Sequence, residues 1–159
     1  HICRYASSHP QNLPKLSKGP DRFIEVVKDI NKEKKVLVVL TGKRRNYVIN
    51  ALKENGIEYK YFEMVNVEKL NELYNVLDIY IVTSRVEGGP QAILECAITK
   101  TPIISTDVGV AKEILPEESI FQMENFQDAK PNVKEAYKNS KDFKIPTGFE
   151  KFRKMFYEN

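Results

Sequence analysis

The stretch DIYIVTSRVEGGPQAILE, Asp78 to Glu95, decides how this chain folds. DIYIVTS, Asp78–Ser84, is a short, nearly continuous apolar run rich in β-branched and aromatic side chains, as in a strand covered on both faces. From Gln91 onward the apolar residues Ile93, Leu94, Ala97 and Ile98 recur at helical spacing and are read as the buried face of a helix. Between them lies Gly88-Gly89-Pro90. Pro90 suits a first helical turn, because its missing N–H would be unpaired there anyway. A buried strand handed by a tight turn to a helix is part of a β-α-β unit.

The same alternation extends outward. VLVVL (Val36 to Leu40), IEYKYF (Ile57 to Phe62) and PIIST (Pro102 to Thr106) read as further strands. The opening ICRYA reads as another, placed before a Pro-rich loop from Ser7 to Pro20. Phe23, Ile24, Val26, Val27 and Ile30 form one helical stripe, and Val48, Ile49 and Leu52 a second. Leu70, Leu73, Tyr74 and Leu77 form a third, after an Asn66 cap. Gly56 stands where a helix C-terminal glycine belongs. Strand and helix alternate through residue 106 with short connections. The fold class is therefore α/β, a parallel sheet wound with helices on both faces.

After Gly109 the pattern thins. VAKEIL reads as a short helix, SIFQ as a short strand, and NFQDAKPNVKEAYKN as a polar helical region broken by Pro131. GFEKFRKMFYEN reads as a final amphipathic helix, with Phe149, Phe152, Met155 and Phe156 at helical spacing, packing on the core or serving as a partner-binding face.

At 159 residues, 42% hydrophobic and 30% charged, the chain has the composition of one globular domain, residues 1–159. No apolar run approaches the ~18–20 residues that span a bilayer. A net charge of +3 could help attract phosphates or an anionic membrane surface, but such a balance commonly means only solubility. The basic residues are interspersed with acids, and no nucleic-acid-binding motif emerges. Cys3 and Cys96 lie far apart with no disulfide or metal spacing, which favours a reducing compartment. The start at His1, with neither Met nor a signal pattern, reads as a piece of a longer protein.

Chemistry concentrates in EGGPQAILE, Glu87 to Glu95. In an open α/β sheet, ligands bind beyond the carboxyl ends of the strands, where loops enter helix N-termini. The glycines allow a close backbone approach, and the helix start offers free N–H groups and a partial positive charge to an anion. Periodicity says less. At about 100° per residue, Glu95 falls well off the apolar face and reads as a solvated helix glutamate, while Glu87 is a loop carboxylate. Position favours a site and periodicity does not require one.

Family resemblance adds to this. From about Lys18 to Leu115 the chain resembles the C-terminal, nucleotide-sugar-binding domain of retaining glycosyltransferase family 4, enzymes of two-domain GT-B architecture. The family's Glu-x7-Glu pattern appears as EGGPQAILE, followed by CAITKTPIISTDVGVAKEIL; upstream, LNELYNVLDIYIVTSRVEGGP, VLVVLTGK and KGPDRFIEVV fall in the family's order. The resemblance implies a Rossmann-like α/β domain, one half of a GT-B enzyme whose N-terminal acceptor domain is absent from this sequence. It implies that Glu95 holds the ribose hydroxyls of the donor and that Glu87 meets hydroxyls of the transferred sugar, as positioner rather than nucleophile. The Gly88-Gly89-Pro90 backbone would sit against sugar and diphosphate, and Arg4 and Lys18 would neutralise the departing diphosphate. Met64 matches the base-contacting position, and Gly42 with Lys43 the turn near the nucleotide.

The implied reaction moves a sugar from a nucleotide diphosphate sugar to an acceptor hydroxyl, with retention. No D-x-D pair and no His/Cys/Asp cluster with metal spacing appears, in accord with chemistry that needs neither metal nor other cofactor. The implied partners are the donor and a glycan or lipid-linked acceptor. The implied setting is the cytoplasm, with room for peripheral association at the cytoplasmic membrane face. Three departures stand out: ASSHPQNLPKLS lengthens the link between Arg4 and Lys18, Glu63 replaces a common glycine, and GVAKEIL lacks a second glycine. A GT-B-fold sugar-nucleotide epimerase and a noncatalytic α/β interaction module are the alternatives.

Overall fold

A computed structural model describes residues 2–5 and 15–144 together with 148 and 153, the backbone alone for residues 2–5. Apart from residues 148 and 153, the expected helix at 148–159 lies outside the described residues. Strands β1 (Ile2–Tyr5), β2 (Leu37–Thr41) and β3 (Glu58–Phe62) form one parallel ladder in the order β1-β2-β3. Strands β4 (Tyr80–Val82), β5 (Ile103–Thr106) and β6 (Ile120–Phe121) form a second, in the order β4-β5-β6. Strands β1 and β4 lie side by side. The strands therefore follow one another as β3-β2-β1-β4-β5-β6, the doubly wound order, whose direction of winding reverses between β1 and β4.

Helices α1 (Pro20–Glu33), α2 (Asn46–Glu54), α3 (Val67–Val76), α4 (Gln91–Thr99), α5 (Ala111–Ile114) and α6 (Val133–Ser140) cover the sheet. Side-chain alternation explains why the central strands are apolar throughout. Val38, Leu40, Ile81 and Ile104 point into one core with Phe23, Val26 and Val27 of α1 and Leu52 of α2. Val39, Tyr80, Val82 and Ile103 point into the other, with Leu73 of α3, Ile93 of α4 and Ile114 of α5. Each core draws on both ladders. Strand β3 is the edge, and there Glu58 and Lys60 are exposed, as suits a strand that must not recruit another chain.

Local signals are carried out as expected. Asn66 caps α3, its side-chain oxygen accepting from the Lys69 N–H at 2.9 Å. Gly56, at φ 63°, closes α2: its own N–H reaches Lys53 O at 3.1 Å and the Ile57 N–H reaches Leu52 O at 2.9 Å. Two expectations need correcting. Strand β4 is three residues rather than seven: beyond Val82 side chains take over the bonding, Thr83 Oγ1 donating to Gly19 O ahead of α1 and Ser84 O accepting from Thr106 Oγ1 at the end of β5. In α4 the buried set is Ile93, Cys96 and Ala97, and Ile98 stands 42% exposed. The helix is rolled relative to the expected stripe because α3, α5 and α6 also close on it.

Gly19 starts α1 at φ 61°, and a Cβ there would overlap the backbone oxygen of Thr83. Gly19→Ala should therefore lower stability by more than ~1 kcal/mol, read as a lower urea midpoint. An unchanged midpoint would contradict this close approach.

Candidate functional site

The carboxyl ends of β1 and β4 meet at the reversal point, and the segments that follow them are stitched together. After β1, a 3-10 turn at Leu16–Lys18 leads into Gly19 and α1. Ser17 O accepts from the backbone N–H groups of both Arg85 (2.8 Å) and Val86 (3.3 Å). The Arg85 guanidinium donates to Leu16 O at 2.7 Å and to both carboxylate oxygens of Asp21, at 2.8 and 2.6 Å. A two-pronged arginine–carboxylate contact fixes orientation as well as distance. The hydrogen bond from Arg85, with its charge, holds the Asp21 carboxyl below the usual carboxylate range, against the opposing effect of burial.

This stitching brings Lys18 to Glu87. Lys18 Nζ and Glu87 Oε1 form an ion pair across 69 positions, and the Ser84 hydroxyl makes a long contact of 3.4 Å to the same oxygen. Both side chains are largely shielded, 23% and 17% exposed. Removing one partner would strand the other's charge in a poorly hydrated place, so each depends on the other.

The Gly-Gly-Pro turn completes the corner. Pro90 occupies the N-cap of α4, one position before the first helical turn, at φ −68°, and no side chain caps the helix. The Ile93 N–H turns back to Pro90 O at 3.0 Å, and the N–H groups of Gln91 and Ala92 ahead of it are left for another acceptor. A Cβ on Gly88 or Gly89 would meet nothing within 4 Å, so their backbone faces open space. Gly109, at φ 51°, presses on the other side: a Cβ there would come within 2.8 Å of Gly88 O and of Pro90 Cδ. Only a glycine at 109 lets the loop after β5 support the turn this closely.

Glu95 is not the solvated glutamate that periodicity gives. It is half-buried, and Tyr74 Oη of α3 donates to its Oε2 at 2.5 Å. Gly42 and Met64 follow β2 and β3, on the same edge of the sheet but on the far side of β1 from Glu87. Gly42, at φ 84°, has a local reason to be glycine, since a Cβ would sit 2.7 Å from Arg45 Nη2; Met64 is 74% exposed. Arg4 is placed in β1 opposite Val39, and its side chain lies outside the described residues. The structure thus joins Lys18, Glu87 and the Gly88–Pro90 turn, and ties Glu95 separately to Tyr74.

Four participants were not picked out from the sequence as site residues. Arg85 and Asp21 are ordinary charges in sequence and become a clamp only when β1 and β4 are neighbours. Tyr74 carried the signal of an apolar helix stripe, which hides its hydroxyl. Arg45, buried at 4% exposure and donating Nε to Thr41 O at 2.8 Å, sits in a KRRN run that reads as solvated. Among the described residues no group of three or more His, Cys, Asp or Glu side chains is placed to hold a metal ion.

This fold, with its loops gathered at the carboxyl ends of a doubly wound sheet, is that of a GT-B glycosyltransferase domain. The chain belongs to the family described as glycosyl transferases group 1, whose model matches residues 12–156. Among solved structures it is similar to the apo form of the lipopolysaccharide outer core galactosyltransferase WaaB, with TM-score 0.75 and 15% identity over 99% of this chain and 49% of that one. It is similar to Anabaena HepE in complex with UDP-glucose, with TM-score 0.71 and 15% identity over 99% of this chain and 48% of that one. It is also similar to the C-terminal domain of the group 1 glycosyl transferase LpcC from Francisella tularensis, with TM-score 0.69 and 17% identity over 91% and 86% of the two chains. The chain spans about half the length of WaaB and of HepE. No curated protein matches the sequence.

The Arg85–Asp21 clamp has a pH signature. A carboxyl whose folded pKa is depressed stabilises the fold above its ordinary value, here 3.8, and loses that contribution as pH falls through the folded value. Asp21 is 38% exposed, so the effect is screened. Asp21→Asn should cost no more than about 1 kcal/mol at neutral pH, and the difference from wild type should vanish as pH is taken well below 3.8. Denaturation curves at several pH values check this; a gap that stays constant would exclude the clamp as its source.

Proposed function

We propose that this chain is the nucleotide-sugar-binding half of a retaining, metal-independent glycosyltransferase, matching family 4 of that class. The observation that carries the reading is the Lys18–Glu87 pair beside the open Gly88-Gly89 backbone at the start of α4, at the sheet's reversal point. A nucleoside diphosphate sugar offers two anionic phosphates next to a polyol. The corner offers an ammonium, an uncapped helix N-terminus and a carboxylate in the same order. HepE, of the same fold, is described in complex with UDP-glucose.

In this reading Lys18, with Arg4, balances the charge that develops on the departing diphosphate, and the helix start adds its partial positive charge. That supplies leaving-group stabilisation without a bound cation or other cofactor. Glu87 accepts from hydroxyls of the sugar and positions it, and Glu95 accepts from the ribose diol. Gly42 and Met64 line the nucleotide end. The acceptor hydroxyl, on a glycan or lipid-linked molecule held by a second domain, attacks on the face the diphosphate leaves, so the anomeric configuration is kept. The working place is the cytoplasm or the cytoplasmic membrane face. Residues 1–159 by themselves bind donor but do not turn it over.

Calorimetric titration with UDP, GDP and ADP and their sugar conjugates tests this. One nucleotide series should bind. Replacing a charged hydrogen-bonding group costs about 1.5–3 kcal/mol, or tenfold and more in Kd, so Glu95→Ala and Lys18→Met should each weaken it by that much. Lys18→Met should spare the bare nucleoside, which has no phosphate to lose. Binding by none of the ligands, or binding indifferent to both substitutions, would overturn the reading.

A further inference from the structure

Tyr74 is 3% exposed, its ring packed 5.9 Å from that of Tyr80, and its backbone oxygen accepts from Thr101 Oγ1 at 2.9 Å. The hydroxyl of a phenol so fixed donates a hydrogen bond to Glu95 Oε2 at 2.5 Å. Buried hydroxyls need a partner, yet this one reaches across from α3 to the one carboxylate on α4. Among the described residues that is the hydrogen bond recorded for the Glu95 carboxylate. Oε1 and the remaining lone pair of Oε2 stay open on the half-exposed side.

We propose that Tyr74 is the positioning residue for Glu95: its hydroxyl pins one carboxylate oxygen so that the rest of the group meets the 2′- and 3′-hydroxyls of a ribonucleotide together and discriminates against the 2′-deoxy form. The inference rests on the reading of Glu95 as the ribose-binding carboxylate and adds the residue that sets its geometry. A glutamate on an exposed helix face samples several rotamers, and a carboxylate must be held still to meet two vicinal donors at once. With the phenol fixed by the core, that ordering is made before ligand arrives. Carboxylate oxygens are acceptors, so with Tyr74 donating to Oε2 the open positions are left to accept from a ligand. A ligand therefore gains from each hydroxyl it presents and loses when one is missing.

The test uses UDP, GDP and ADP to find the nucleotide that binds, then that nucleotide against its 2′-deoxy form, by calorimetry on wild type, Tyr74→Phe, Glu95→Gln and the double variant, with thermal midpoints alongside. Wild type should prefer the ribonucleotide. Tyr74→Phe, which keeps the ring, should narrow that preference by ~threefold or more, and should change nothing further once Glu95 is Gln. If Tyr74→Phe leaves the ratio unchanged while Glu95→Gln abolishes it, Glu95 reads the ribose but the tyrosine merely packs, and the proposal fails. If Tyr74→Phe tightens ribonucleotide binding, the tyrosine sequesters Glu95 instead of presenting it, and the proposal fails. If Glu95→Gln leaves the ratio unchanged, or no nucleotide binds, the reading of Glu95 fails and this inference with it. A fall in midpoint with an unchanged ratio counts as packing alone.

Discussion

The close approach of Gly19 to Thr83 is the constraint on which the site depends. Among the described residues no ladder joins β1 to β4, yet the corner that joins Lys18 to Glu87 needs the ends of those two strands held together. The contact is made by backbone: Thr83 Oγ1 donates to Gly19 O, and the left-handed glycine leaves no side chain in the way. Ser17 O then takes two N–H groups from the opposite loop, and Arg85 ties Leu16 and Asp21 to it. A sheet that reverses its winding opens a crevice at the reversal. Here the crevice is closed at its floor by residues more than 60 positions apart, so the geometry of the corner depends on the whole fold.

That dependence explains what could be read from the sequence. Element type and order were legible because burial imposes a period: VLVVL is apolar throughout since Val39 faces one core while Val38 and Leu40 face the other. Caps were legible because their chemistry is local, as at Asn66 and Gly56. The boundaries of β4 were not, because Thr83 and Ser84 leave the ladder for side-chain-mediated bonds to Gly19 and to Thr106 of β5, residues distant in sequence that no local preference encodes. The buried face of α4 was misplaced by a fraction of a turn. Its burial is set by three neighbouring helices as well as the sheet, and the single-stripe template assumes one surface.

The candidate site divides along the same line. Glu87, Gly88, Gly89 and Pro90 were legible as candidates because they are contiguous and follow a strand. Their long-range partners were not. Tyr74 illustrates the physical reason: an aromatic at helical spacing has the same pattern whether its far end meets methyl groups or a carboxylate. Only the packing of α3 against α4 distinguishes these. Arg85 is similar, since its role arises from where Leu16, Ser17 and Asp21 come to rest. Gly42 is instructive in the other direction. Its position after β2 marks it for the nucleotide, while the structure supplies a sufficient local cause in its left-handed turn and the guanidinium of Arg45 beside it.

The charges at the corner carry a final consequence. Lys18 and Glu87 are shielded enough that either alone would be poorly solvated, and as an ion pair they neutralise each other. A ligand that brought only an anion would draw Lys18 away and leave Glu87 without compensation. One that brought only hydroxyl groups would have to compete with an ammonium for the carboxylate. On the proposed reading, a molecule that carries phosphate and polyol side by side satisfies both ends in one exchange, and the Lys18–Glu87 pair then favours a glycosyl diphosphate over either of its fragments.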